Sequence, residues 1–498
     1  MKCVLALDQS TSATKAVLLD LQGRVLAQAS REHQQFYPQP GWVEHDAEEI
    51  WHNVLEVTHA VLTEDRSLAT EVALVSIANQ RETVVVFDSN TGKALHPAIV
   101  WQCRRGDPLC AAQKALGRET QIRSRSGLRL DSYFPAPKLQ WLMRERPDVA
   151  AALQRGDASI GTLDTYLIYR LTAGAVFATD HTNASRTLLY DIHRCGWDEE
   201  LCRWWDVPVR ALASIRPSDA YFGETTLGGQ LPAPVPIRGV MGDSHAAMFG
   251  QRCVQPGSAK VTFGTGSSVL LNAGHAPPQG LRHAVGTLAW YRGNECTYAL
   301  EGIITSSAAT LVWLRDQLGI IDDVPQASSA AADLTSDDGV YVVPAFSGLG
   351  APWWRASARG AIVGLSAHSD RRHVVRAGLE SIAYQLRDVL EMLRAESGVE
   401  LREIRADGGP TVNSFLMQFV VDIVGIELHV ACRADRAAVG AALMGALGAG
   451  LPVSPEHFGG ADDVIVYRRQ MPESRVEARY QGWLRAVNQV LCGAASED

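Results

Sequence analysis

Four short segments of the 498-residue chain carry residue types and spacings from which a reaction could be built. The run D-Q-S-T-S-A-T-K, Asp8 to Lys15, ends an apolar strand-type stretch on a carboxylate and continues with hydroxyls and backbone amides. Such a turn can hold a phosphate and, through water, a metal, although an unliganded polar hairpin reads the same way. G-T-G-S-S, starting at Gly264, has two glycines that let the backbone approach a ligand, and by itself is no more than a β-turn. G-V-M-G-D-S-H, from Gly239, sets Asp243 directly beyond an apolar strand, where a carboxylate can take a proton from a hydroxyl or else cap the following helix. His245 competes for the base role but reads as a structural histidine. The fourth segment is the Asp407–Gly409 turn ahead of a helix-type run. Two phosphate-type hairpins, a base-type aspartate and a Gly-Gly turn, spread over both halves, suit phosphoryl transfer across a cleft, where catalysis is positioning plus charge stabilisation. No G-x-x-x-x-G-K-[ST] loop occurs, so the cradle is not of the P-loop kind.

The elements that must position these groups follow from periodicity. KCVLALD, TKAVLLD and the stretch after Gly23 predict an antiparallel meander, and AKVTF-GTGSS-VLLNAG repeats the hairpin about 250 residues on. The repeat implies a duplicated architecture whose halves face each other. Helices are expected over Asp46 to Leu62, Arg371 to Leu393, Asn413 to Val424, with its N-terminal amides at the Gly-Gly turn, and Ala437 to Leu447. The fold class is therefore α/β. A boundary near Gly250 to Gly257 divides the chain into domains 1–252 and 253–498, hinged around a cleft.

Composition narrows the partners. Lys plus Arg number 46 against 55 Asp plus Glu, a formal charge of -9 that opposes capture by a polyanion, so nucleic acid is not an expected partner. Arg123, Arg125 and Arg129 read as a solvated loop face. No apolar window reaches ~18 residues and no secretory signal precedes Cys3, so membrane insertion is not expected. Nine scattered cysteines without C-x-x-C spacing point to reduced thiols and a cytoplasmic location.

Taken in order, ALDQSTSATKA, YPQPGWVEHDAEEIW, IANQRETVVVFD, AIVWQCRR, YFPAPKLQWLMRE, DTYLIYRLT, ATDHTNASRTLLYDI, GDSHAAMFG, TFGTGSSVLLN, VPAFSGLGAPWW and DGGPTVNSFLMQF resemble the glycerol kinase branch of the FGGY carbohydrate kinases. The resemblance spans nearly the whole chain. It implies two RNase H-like, actin/hexokinase-type ATPase domains, with the polyol mainly on the N-terminal side and ATP mainly on the C-terminal side. It implies that Asp243 deprotonates the attacking hydroxyl and that Asp8, through water, and Asp243 place Mg2+. Thr11, Ser12, Gly264 and Thr265 would contact phosphates, Gly409 and Asn413 would lie beside the nucleotide, and Arg81, Glu82, Trp101, Tyr133 and Asp243 would hold the polyol. An Arg donor beside a Glu acceptor suits hydroxyls that both donate and accept, and aromatic rings supply walls. A homodimer or homotetramer is in keeping with such kinases.

Four positions depart from the pattern. Ser244 stands where glutamine is usual, Ser268 where phenylalanine is usual, Cys103 where an acid is usual and Ser10 where glycine is usual. Ser244 and Ser268 would line the substrate side, and both changes remove volume. The expected activity is ATP- and Mg2+-dependent phosphorylation of a terminal hydroxyl of a small polyol, glycerol first. A tetritol, tetrulose or pentulose is the alternative, and an inactive actin-like nucleotide-binding scaffold a remote one.

Overall fold

The computed structural model describes residues 2–64, 67–324, 326–334, 336, 338–460 and 463–493. The expected meander forms: Cys3–Gln9 pairs antiparallel with Ala13–Asp20, which pairs antiparallel with Val25–Glu32. Val72–Asn79 joins Cys3–Gln9 in parallel and Val235–Gly242 joins Val72–Asn79 in parallel. The second half repeats this order. Ser258–Phe263, Ser267–Gly274 and Glu295–Ile304 run antiparallel, and Glu403–Asp407 and Leu428–Ala431 continue in parallel from Ser258–Phe263. The duplication read from two hairpins is thus a duplication of two whole sheets.

Alternation of burial explains the layers. In Ser258–Phe263, Ala259, Val261 and Phe263 enter the apolar core beneath the long Arg371–Ser397 helix, whose Leu379, Ile382, Leu386 and Val389 cover it. A second core lies under the first sheet, with Leu5, Leu7, Val75 and Ile77 against the Ala47–Glu64 helix. The alanine-rich helix, observed over Arg436–Gly448, packs on Asp243–Gly250 and crosses to the first sheet. The contact is close enough that a Cβ at Gly440 would meet the Ala246 carbonyl oxygen at 1.8 Å. The two halves are therefore joined through small residues at the base of the cleft. Among the described residues, no helix is long and apolar enough to cross a membrane.

Two expectations need correction. The helix expected over Asn413 to Val424 forms as Ser414–Val424, but its N-terminal amides are not at the Gly-Gly turn: a 3-10 turn, Gly409–Val412, intervenes, and Asn413 caps the helix by accepting from the Leu416 amide at 2.9 Å. Proline at 410 and the short polar side chain at 413 favour that stop and restart. The basic stretch is not a solvated loop. Arg123 and Arg125 lie on a helix, Glu119–Ser126, where Arg125 pairs with Asp198 at 3.0 Å and with Glu200, and Arg129 stacks over Trp354 at 4.3 Å. All nine cysteines are free thiols.

Candidate active site

Three parallel strands end side by side and deliver the first group of side chains. Asp8 lies in register with Ala78, and Gly242 with Asn79, so Asp8, the Asn79–Glu82 loop and Asp243 share the carboxyl edge of one sheet. This is where ligands gather in open α/β sheets. Asp243 is the first residue of the Asp243–Gly250 helix, and its Oδ1 accepts from the Ser244 amide at 2.5 Å. Gly242 is the N-cap, so the carboxylate remains half exposed rather than folded back as a cap. Glu82 holds a left-handed backbone, φ 61°, a strained state for a side-chain-bearing residue and one that turns Arg81 and Glu82 into the interior.

Taken alone, adjacent opposite charges such as Arg81 and Glu82 read as a surface ion pair, but both side chains are buried. Arg81 Nη2 donates to Glu301 Oε1 at 2.8 Å and its Nε lies 3.5 Å from Asp243 Oδ1 and 3.9 Å from Glu82 Oε1. Arg186 closes the ring, its Nε donating to Glu82 Oε1 at 2.5 Å and its Nη2 standing 2.6 Å from Glu301 Oε2. All four groups are buried. Burial pushes the Glu301 carboxyl up, but Arg186 and Arg81 outweigh it and hold the group well below the usual carboxylate range. Burial raises Glu82 against the same two guanidinium groups. Arg81 Nη1 remains a buried donor without a hydrogen-bond partner, directed to no protein acceptor. Ser268 reaches this ring from the other half: its Oγ donates to Glu301 Oε1 at 2.9 Å.

Trp101 and Tyr133 stand as neighbours, ring centroids 5.3 Å apart, and the Trp101 indole N–H donates to Thr11 Oγ1 at 2.9 Å. The structure therefore gathers Thr11, Trp101 and Tyr133 into one wall and Arg81, Glu82, Asp243 and Ser268 into one charged floor. Ser244 follows Asp243 on the helix, half-buried, and Ser12 is exposed in the turn beside Thr11. Across the cleft Gly264 and Thr265 form the tip of the second hairpin, pinned where the Ser307 amide donates to the Thr265 carbonyl at 2.9 Å and the Ala308 amide to that of Gly264 at 3.0 Å. Gly409 lies in an open, exposed turn, and Asn413 spends its side-chain oxygen on the helix cap. His245 is fully buried 3.3 Å from Thr287 Oγ1, and burial drives it well below its ordinary value, consistent with a structural role.

Two observations bear on a cation and a nucleotide. Asp8 Oδ1 is buried without a hydrogen-bond partner, and burial, reinforced by Asp243, pushes the carboxyl up to about 7. Two carboxylates crowded at one sheet edge fit a divalent cation that would relieve both. Gly408, at φ 102°, brings its turn so near Phe263 that a Cβ would meet the carbonyl oxygen at 1.9 Å, which holds the Asp407–Gly409 turn flush with the hairpin that carries Gly264 and Thr265. Asp407 is fixed there by Thr262 Oγ1 at 2.5 Å and Gln251 Nε2 at 2.6 Å. Residues 3–250 match the N-terminal domain model, and residues 259–449 the C-terminal domain model, of the FGGY family of carbohydrate kinases.

The chain belongs to the FGGY family of carbohydrate kinases. Among its relatives is a glycerol kinase of Desulfitobacterium hafniense, 43% identical over 98% of this chain and 99% of that protein. A glycerol kinase of Symbiobacterium thermophilum is 44% identical over 99% of each chain. The solved Plasmodium falciparum glycerol kinase with ADP superposes with a TM-score of 0.93 at 33% identity, covering 99% of this chain and 98% of that one. A xylulose kinase of Lactobacillus acidophilus, 20% identical with a TM-score of 0.88 over 99% of both chains, shares the fold. The two-domain actin/hexokinase-type fold and the class of ATP-dependent kinase follow from this membership.

Glu301, Arg186 and Lys260 were not singled out by sequence reasoning. Each is a lone charge in an apolar or small-residue run, YALEG, NASRTLL and AKVTF, and that interruption is the signal they carry. Lys260 is fully buried on the face opposite Val261, and its side chain makes no hydrogen bond or ion pair among the described residues. Burial lowers it, opposed by Asp407 and Asp243, which lie within electrostatic reach.

Proposed function

We propose that this chain transfers the terminal phosphoryl group of ATP to a terminal hydroxyl of glycerol. The observation that carries the reading is the position of Asp243, half-exposed at the carboxyl edge of the first sheet, 3.5 Å from Arg81 and next to the buried Asp8. A hydroxyl held between Arg81 and Glu82, against Trp101 and Tyr133, would present its proton to Asp243, an effect typically worth ~10²–10⁴-fold. Thr11 and Ser12 on one side and Gly264 and Thr265 on the other would cradle the phosphates, with Gly409 and Asn413 beside the nucleotide. Asp8 and Asp243 would hold Mg2+, which when bound neutralises charge on the transferring group. Lys260, buried and within electrostatic reach of Asp407 and Asp243, would add positive charge near the transferring group when protonated. Halves 1–252 and 253–498 would close on the substrates as units. The full-length relatives named as glycerol kinases favour glycerol over a longer polyol or a ketose.

The test is release of ADP by the purified protein with ATP, Mg2+ and, in turn, glycerol, erythritol and xylulose. Glycerol should give the highest kcat/KM. A tenfold preference for a longer substrate would retain the kinase and discard glycerol, and no ADP with any of the three would leave the scaffold reading.

A further inference from the structure

The N-terminus of the Arg371–Ser397 helix holds a cluster that phosphoryl transfer does not use. His368, from the preceding turn, His373, from the first turn of the helix, and Asp338, from the turn before the Tyr341–Val343 strand, bring one donor atom each to within 4.8 Å of one another. His373 Nε2 lies 3.4 Å and His368 Nε2 3.8 Å from Asp338 Oδ2. Donors on one tetrahedral cation at about 2.0–2.2 Å are about 3.3–3.6 Å apart, so both histidine–aspartate distances stand close to the spacing of ligands around a single ion.

The orientation of His373 is the second observation. Its ring is buried, with 2% side-chain exposure, and its Nε2 has no hydrogen-bond partner although it points at the cluster. Its Nδ1 stands 3.0 Å from Asp370 Oδ1 and 3.1 Å from the Asp370 amide nitrogen, whose N–H it accepts in the capping box of the helix; with a cation on Nε2 the proton would sit on Nδ1 and be donated to the Asp370 carboxylate. A carboxylate behind an imidazole whose far nitrogen is free is the arrangement that orients metal-binding histidines. Arg372 is occupied by Asp370 at 2.6 Å, so its positive charge is balanced next to the cluster. His368 and Asp338 are exposed, leaving an approach from solvent.

We propose that Nε2 of His368, Nε2 of His373 and the carboxylate of Asp338 form a binding site for a zinc-class divalent cation, with the fourth position open to water. Two imidazoles and one carboxylate select a borderline first-row ion over Mg2+ or Ca2+, which prefer oxygen. Binding would tie the Asp338 turn and the His368 turn to the helix that covers the core of the second half. The site is independent of the kinase reading.

The experiment uses the full chain, stripped with EDTA and carrying Cys432→Ser and Cys492→Ser to remove the two exposed thiols. Equilibrium dialysis against ZnCl2, with MgCl2 as control, should give one bound zinc and no competing magnesium. His368→Gln, at a side chain 82% exposed, should keep the fold and weaken zinc binding at least tenfold. Zinc should raise the thermal midpoint of the parent and leave that of His368→Gln unchanged. Absence of saturable zinc binding, or binding undiminished by His368→Gln, would overturn the proposal.

Discussion

Ser268 Oγ and Arg81 Nη2 donate to the same oxygen, Glu301 Oε1, at 2.9 Å and 2.8 Å. A residue of the second sheet thereby holds the carboxylate that aims Arg81, the arginine proposed to meet the substrate. Ser268 is thus more than vacated volume. Losing a hydrogen bond to a charged acceptor costs about 1.5–3 kcal/mol, so Ser268→Ala should lower kcat/KM for glycerol roughly tenfold or more. Steady-state kinetics with glycerol and erythritol decide the matter. Unchanged glycerol kinetics with improved erythritol use would mean that the serine only enlarges the pocket.

Asp8 gives a pH prediction. Its carboxyl is pushed up to about 7 in the folded chain, so below that pH it carries a proton, and a cation must displace it. Apparent Mg2+ affinity should therefore fall roughly tenfold between pH 8 and pH 6. Asp8→Asn should bind Mg2+ weakly and lose this dependence. A pH-independent Mg2+ requirement in the parent would remove Asp8 from the metal site.

Lys260 gives a prediction in which stability and activity move apart. Replacing a buried amine that has no ion-pair partner with Met relieves desolvation, so Lys260→Met should raise the thermal midpoint. If the charge serves the transferring phosphoryl group, kcat should fall by about 10- to 100-fold with KM for glycerol little altered. Unchanged kcat in a stabler protein would make the lysine a structural burden alone.

The hairpins proposed to cradle phosphates, at Thr11 and Thr265, belong to opposite halves, and neither alone would surround a transferring group. Small-angle scattering with glycerol and an unreactive ATP analogue should show a smaller radius of gyration than the free chain. An unchanged radius at saturation would contradict closure.

The sheets were readable because period-two runs and small polar turns mark both hairpins, and their repetition exposed the duplication. Asp8 and Asp243 were readable because each ends an apolar strand. The Arg81–Glu82 pair was misleading in isolation, since adjacent opposite charges usually stay in solvent. What buries them is Arg186 and Glu301, respectively 105 and 220 positions beyond Arg81, and no local pattern reports a ring closed across two sheets. The helix over Ser414–Val424 was readable from its apolar run, whereas the 3-10 turn Gly409–Val412 that separates its amides from the Gly-Gly turn was not, because one short turn leaves no periodic pattern.

The most direct measurement is the turnover of Asp243→Asn with ATP, Mg2+ and glycerol, read as glycerol phosphate formed, alongside its affinity for ADP. The amide cannot accept the hydroxyl proton, while the phosphate cradles lie on other segments. The expected result is a loss of ~10²–10⁴-fold in kcat with ADP binding retained. A variant that keeps the parent's kcat would contradict the assignment of Asp243 as the base.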